Sequence, residues 1–84
     1  MSTLPTIHIN GSARATLATA YEAAYRTLTD ALSAFAETSP HARDYYPQGP
    51  GAFCSARDEH GKHLAALKSA QEYCLAHYDH CADD

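Results

Sequence analysis

The residues best suited to chemistry lie in the connector His41–Phe53, which reads HARDYYPQGPGAF. An arginine offers a planar fork that matches phosphate or carboxylate, and tyrosines offer flat stacking faces with a hydroxyl group. This combination suits a nucleotide or a protein hot spot. The candidate ligand-binding residues here are Arg43, Tyr45, Tyr46 and Gln48. In a simpler interpretation, Arg43 and Asp44 pair with groups at the helix ends while the tyrosines plug the end of a bundle.

Arg57 and His60 form the second candidate set, because both fall on the apolar stripe of the second predicted helix. A charge on such a stripe is unfavourable unless it is paired or lines a cavity. We expect both residues to bind a ligand. The alternative is a structural partner across a subunit interface, such as Asp30 or Asp44.

A third set lies near the C-terminus, where cysteines and histidines recur at helical spacing: Cys74, His77, His80 and Cys81. One helix face could present three zinc-type ligands, but structural zinc sites usually pair cysteines in a tight knuckle, which this sequence lacks. Cysteines on a helix stripe act as small buried hydrophobes, and histidines near a helix C-terminus favour its dipole. We therefore predict no metal and no cofactor.

Composition narrows the function classes. The chain has 84 residues and a net charge of −4, so broad binding to long nucleic acid or to an anionic membrane is disfavoured. The sequence has no nucleophile elbow, phosphate-cradling glycine loop or carboxylate pair, which predicts a protein that is not an enzyme. The absence of an apolar span and of a signal-type N-terminus predicts a cytoplasmic protein whose three cysteines are reduced thiols.

The elements that position these residues follow from periodicity. We predict an extended N-terminal arm over residues 1–11 and a helical hairpin over 12–84, with a helix at 12–38, a loop at 39–50 and a helix at 51–80. The arm contains TIHIN, a weak strand signal. Gly61 interrupts the second helix and predicts either a kink or a close backbone approach.

The fold class predicted is all-α, with two long antiparallel helices. Apolar residues of the first helix recur at spacings of 4, 3, 4, 3 and 4 from Leu17 to Phe35, which is typical of an amphipathic helix. Two helices do not enclose a core, and a core this small supplies only about 3–5 kcal/mol by itself. We therefore expect a homo-oligomer, either a dimer forming a four-helix bundle or a higher helical assembly.

The segments TIHING, RDYYPQGP and the Glu59-His60 pair together carry a resemblance that covers nearly the whole chain. The chain resembles small phage and prophage proteins that share a strand-like start, two long helices and an RDYY-type loop. It is similar in size and helical plan to the phage anti-defence sponges for cyclic oligonucleotides. Those proteins assemble into helical oligomers and capture the ligand between subunits.

The resemblance implies a phage counter-defence protein, acting in the cytoplasm of an infected bacterial host, that sequesters a cyclic oligonucleotide without hydrolysing it. The positions that match the pattern are His8, Asn10, Arg43, Asp44, Tyr45, Tyr46, Gln48 and His60. The resemblance thereby adds His8 and Asn10 to the candidate ligand-binding residues. The cysteines, the histidine-rich tail and the acidic net charge depart from the pattern. The alternatives are a protein-binding inhibitor of a host or defence factor, similar to an anti-CRISPR, and a structural helical module.

Overall fold

The computed structural model describes residues 3–6 and 11–82. Helix α1 covers Gly11–Ala36 and helix α2 covers Ala52–Ala82, and the two pack against each other. They run antiparallel, since Phe35 near the end of α1 stacks on His60 near the start of α2. The prediction of an all-α protein with two packed helices is confirmed. Residues 3–6 and 11–82 contain no strand; apart from Thr6, the predicted TIHIN strand lies outside these residues.

The end of α1 follows from its local sequence. The last turn tightens, because the backbone N–H groups of Glu37, Thr38 and Ser39 donate to carbonyls three residues earlier. Pro40 then disfavours helical geometry at the residue before it. Five residues, 37–41, therefore separate the end of α1 from the first short turn of the connector.

The interface between the helices is a seam of half-buried side chains at three- and four-residue spacing on both helices. Among the described residues, only Cys74, His77 and Cys81 are buried, and all three lie in the C-terminal part of α2. Midway along the seam the side-chain amide of Gln71 donates to the Thr29 hydroxyl over 2.9 Å. This bond satisfies the polar residue that interrupts the apolar stripe of α2.

The hairpin is long and thin. Its principal extents are 61 × 22 × 13 Å and its radius of gyration is 18.3 Å, against about 12 Å for a compact domain of this length. The chain exposes 6180 Å², whereas a compact monomer of 9.1 kDa exposes roughly 4,900 Å². Much surface that a compact fold would bury therefore stays open.

One sequence expectation about α2 is wrong, and one of the two alternatives predicted for Gly61 is not observed. Arg57 does not lie on the inner stripe: its side chain is 62% exposed, because the half-buried Ala56 takes the seam position between Phe53 and His60. Gly61 has no close neighbour, since a Cβ added there meets nothing within 4 Å among the described residues. The glycine therefore marks no tight crossing within one chain.

Within residues 3–6 and 11–82, neither helix combines the length and apolar character that crossing a membrane requires.

Candidate ligand-binding surface

The connector between the helices has a defined backbone path. Two consecutive 3₁₀ turns, Ala42–Asp44 and Tyr46–Gln48, lie within the predicted loop 39–50. The amides of Asp44, Tyr45 and Gln48 each donate to the carbonyl three residues earlier at 3.0 Å. Since these amides are used inside the turns, they are not available to another molecule.

Gly49 lets the chain leave the second turn. Its φ of 111° and ψ of 171° lie in a region that side-chain-bearing residues rarely adopt. The chain then enters α2, whose first helical bond runs from the Ser55 amide to the Gly51 carbonyl over 3.1 Å. The path of the connector therefore depends on a glycine at position 49.

The side chains of the connector point mostly to solvent. Tyr46 is 74% exposed, Arg43 and Gln48 are exposed, and Tyr45 is half-buried. The simpler interpretation requires partners for Arg43 and Asp44 and a buried position for the tyrosines. Within the described part of the chain, the side chains of Arg43 and Asp44 have no ion pair and no hydrogen bond. Arg43 and Tyr46 are therefore available to bind another molecule.

Arg57 lies near the same end of the hairpin but is weakly engaged. Its guanidinium carbon is 5.7 Å from the centroid of the Phe53 ring, a cation–π distance. Its Nε lies 3.9 Å from an Asp58 carboxylate oxygen, an exposed contact that contributes little. Exchanging these contacts for another partner therefore costs Arg57 little free energy.

His60 has a structural environment. Its ring stacks parallel on Phe35, with centroids 4.4 Å apart, and its Nε2 lies 3.1 Å from the Thr38 hydroxyl and 3.2 Å from the Phe35 carbonyl. Thr38 donates its own hydrogen to that carbonyl over 2.7 Å. Nε2 therefore carries a proton and donates to both oxygens. His60 thus adds a donor to the Phe35 carbonyl at the end of α1, which already accepts from the Thr38 amide and hydroxyl. Nδ1 has no hydrogen bond within residues 3–6 and 11–82.

The opposite end of the hairpin holds a packed aromatic cluster that sequence reasoning missed. His77 is 1% exposed and its ring centroid lies 4.1 Å from that of Tyr73 and 4.8 Å from that of Tyr21. Its Nδ1 is 2.9 Å from the Tyr73 carbonyl and its Nε2 is 3.1 Å from the Thr3 carbonyl. His77 therefore joins α1, α2 and the N-terminal segment.

The electrostatics of this cluster affect Tyr21. Burial, followed by the neighbouring Tyr73, raises the pKa of the Tyr21 hydroxyl above its ordinary value, with smaller contributions from Cys81 and Cys74. Both neighbouring cysteines are free thiols. No group of three or more histidine, cysteine or acidic side chains in the described ranges is placed to hold a metal.

Two of the eight candidate residues, His8 and Asn10, lie outside the described residues. The hairpin brings the other six to one end: five are in or beside the connector, and His60 follows within three turns of α2. The signal that the sequence offered for the opposite end was the Cys74, His77 and Cys81 spacing, which marks a buried stripe. Comparison of the chain with protein-family models, with curated proteins and with solved structures gives no match.

Proposed function

We propose that the protein binds and sequesters a cyclic oligonucleotide in a pocket between subunits of a homo-oligomer, as a phage counter-defence protein in the cytoplasm of an infected bacterium. The observation that carries the proposal is the pairing of an exposed tyrosine, Tyr46, with an arginine lacking a partner in the described chain, Arg43, on a connector of defined shape. The tyrosine stacks on a base and the arginine meets a phosphate.

The ligand needs more than one subunit for two reasons. The connector presents Arg43, Tyr46 and Gln48 on an open surface, whereas small-ligand sites bury most of the ligand in a cleft. In addition, the net charge of −4 opposes an anion, so arginines from two or more chains must gather around one pocket. Arg57 is the second arginine that each chain offers there.

Self-association is supported by the surface that one hairpin leaves open. The exposed area exceeds that of a compact monomer by roughly 1,300 Å², and a standard interface buries about 800 Å² per partner. The half-buried seam residues, which include Leu28, Leu64 and Leu67, are suited to a helical bundle. The assembly completes the core and the pocket together.

Calorimetric titration against a panel of cyclic di- and trinucleotides tests the ligand class. We expect submicromolar binding by the wild type and at least a tenfold loss in Arg43→Ala and in Tyr46→Ala. Lys68→Ala, which removes an exposed cation from the middle of α2, is the matched control and retains affinity. Silence of the wild type across the panel, or equal loss in the control, contradicts the proposal for these ligands.

The second candidate function is inhibition of a host or defence protein through the same connector. The observation that favours it is the exposure of a large aromatic residue on an acidic chain, because tyrosine and arginine are frequent anchors in protein interfaces. Here the acidic surface imitates nucleic acid. Purification of tagged protein from a bacterial host would yield a stoichiometric partner that is lost with Tyr46→Ala. A chain that binds neither nucleotides nor a partner but still assembles is a structural helical module.

A further inference from the structure

The two sides of the seam on α1 differ in size and polarity. The side that follows each seam residue by one position carries half-buried residues at seven-residue spacing, namely Ala18, Tyr25 and Leu32. The side that precedes each seam residue carries small, exposed residues, namely Ala20, Thr27 and Ala34. The apolar stripe of α1 is therefore widened on one side only.

The same face of the hairpin is open on α2. In two antiparallel helices, the positions that follow the seam by one residue fall on the same face of the pair. On α2 these positions include Lys68 and Leu75, and Leu75 is 39% exposed. Residues 3–6 cover a different side, because they bond to His77 and His80, and His77 lies about 160° around the helix from Leu75.

We call this surface the open face; it is formed by Tyr25 and Leu32 of α1 and by Lys68 and Leu75 of α2. The two larger extents of the hairpin are 61 and 22 Å, which leaves room for a standard interface of about 800 Å² per partner. A long, narrow face with apolar residues at seven-residue spacing fits a second pair of antiparallel helices with the same spacing. A second copy of this chain supplies such a pair.

The heights of charged residues along the two helices are related by the bond from Gln71 to Thr29. Lys68 lies three residues from Gln71 and Asp30 lies one residue from Thr29, both toward the connector. At 1.5 Å per residue, Lys68 and Asp30 are therefore within about 3 Å of the same height. By the same reasoning, Glu72 lies within about 3 Å of the height of Arg26.

These charges favour one direction for the second copy. A groove on α1 beside the open face is lined by Tyr25, Arg26, Thr29 and Asp30. A two-fold axis parallel to the helices lays α2 of the second copy on α1 without changing any height. Lys68 of the second copy then meets Asp30, and Glu72 of the second copy meets Arg26. Arg26 retains free donors beside its exposed bond to Glu22.

A two-fold axis perpendicular to the helices buries the same face but brings like charges together. Lys68 lies next to the midpoint of α2, Ala52–Ala82, so in the fully overlapped register it meets Lys68 of the second copy, and Asp30 meets Asp30. Exposed ion pairs contribute only about 0–1 kcal/mol each. The apolar contact therefore stabilises the dimer, the charges select its direction, and loss of one pair, as in Lys68→Ala, leaves it assembled.

We infer that a second copy of the chain covers the open face, with the two-fold axis parallel to the helices, so that α1 packs on α2 of the second copy and both connectors lie at the same end. The inference rests on the self-association in the proposed function and is independent of the nucleotide. It places Arg43 and Tyr46 of both copies at one end of a four-helix bundle, where an intersubunit pocket requires them.

Cys54 allows a direct test on the unmodified chain. It is exposed and follows the seam residue Phe53, whereas Cys74 and Cys81 are buried and so protected from reagents. In the inferred dimer the two Cys54 thiols lie at the same end, within about 15 Å of each other. With the perpendicular axis they lie about 40 Å apart. A bismaleimide whose span lies between these distances should cross-link most of the wild type into covalent dimers, and Cys54→Ser should give none.

Charged substitutions on the two sides of the seam test the face itself. Leu75→Glu places a charge in the apolar contact and should weaken dimerisation by about tenfold or more, as measured by equilibrium sedimentation. Thr27→Glu, at an exposed position on the other side of the α1 seam, is the matched control and should dimerise like the wild type.

The outcomes separate this inference from the proposed function. A wild-type oligomer whose Cys54 thiols do not cross-link, or one that Thr27→Glu dissociates and Leu75→Glu does not, overturns the inference and leaves self-association standing. A monomeric wild type overturns both. Since the cross-link is measured on the wild type, it decides the direction of the dimer even if Leu75→Glu does not fold.

Discussion

The two ends of the hairpin use their residues in opposite ways. At the end where residues 3–6 contact the C-terminal part of α2, His77 and Cys81 are almost fully buried, and histidine side chains join two helices and the N-terminal segment. At the connector end, Tyr46 is largely exposed, and Arg43 has no partner in the described chain. The buried residues of the first end stabilise the fold, whereas Arg43 and Tyr46 at the second end are left exposed.

The difference separates the side chains that stabilise the fold from those that the fold leaves unpaired. Aromatic stacking and buried hydrogen bonds need immobile side chains, while ligand capture needs side chains whose hydrogen-bonding capacity is unused. Backbone hydrogen bonds and the conformation of Gly49 set the shape of the connector, so its exposed side chains are not needed to hold that shape.

Substitution of one aromatic side chain at each end gives the largest expected contrast. We expect His77→Ala to lower the free energy of unfolding by about 2–3 kcal/mol, because it removes two buried hydrogen bonds and two ring contacts. Tyr46→Ala should change it by no more than about 0.5 kcal/mol, as is usual for exposed positions. Urea denaturation followed by circular dichroism measures both. A larger effect at Tyr46 than at His77 would reverse the assignment of the two ends.

Glycine substitutions test whether the path of the connector is set by its backbone. Gly49→Ala places a side chain at a φ of 111° and should destabilise the fold by about 1–3 kcal/mol. Gly51→Ala is the matched control, because its φ is outside the left-handed region and the added methyl group meets nothing within 4 Å. Equal denaturation midpoints for the two variants would show that the connector adapts freely.

Gly61→Ala tests the part of α2 that lies between the two ends of the hairpin. The position is exposed and has room for a Cβ, so alanine should stabilise the chain by up to about 1 kcal/mol through its helix propensity. Ala65→Gly, one turn later on the exposed side, should have the opposite effect. If Gly61→Ala instead lowers stability or assembly, a second subunit lies against this glycine.

The smallest expected effect is on the alkaline stability of the terminal end. Because burial raises the pKa of Tyr21, the folded state holds that proton more tightly than the unfolded state. The stabilisation that this difference in Tyr21 proton affinity gives the folded state is complete below about pH 10 and is lost as the pH rises through the folded-state pKa. Between pH 8 and about pH 11, Tyr21→Phe should therefore lose less stability than the wild type. Tyr46→Phe serves as the exposed control and should keep the wild-type dependence.

Local and periodic signals were enough to predict the helices. The stripe from Leu17 to Phe35 and the proline after Ser39 locate α1 and its end to within two residues, since amphipathic spacing and proline sterics act over short distances. The exposure of Arg57 was missed because Ala56 and Arg57 are adjacent candidates for one seam position. Packing between the helices chooses between them.

The terminal cluster could not be predicted in the same way. His77 and Thr3 are far apart in the sequence, and no periodicity links a histidine to a distant backbone carbonyl. The structural environment of His60 was missed for a related reason: its partners are the last-turn carbonyl and the hydroxyl at the end of the other helix. The candidate role of the connector, by contrast, rested on residue types alone, and the structure leaves those side chains available.

Equilibrium sedimentation at micromolar concentration is the most direct test of the central claim, that the unit which folds and binds is an oligomer. One chain has a mass of 9.1 kDa and leaves its seam half exposed. We predict a mass that is twice this value or a higher multiple of it, without added ligand. A stable monomer at this concentration would contradict the account, because it would leave both the seam and the proposed intersubunit pocket without their second wall.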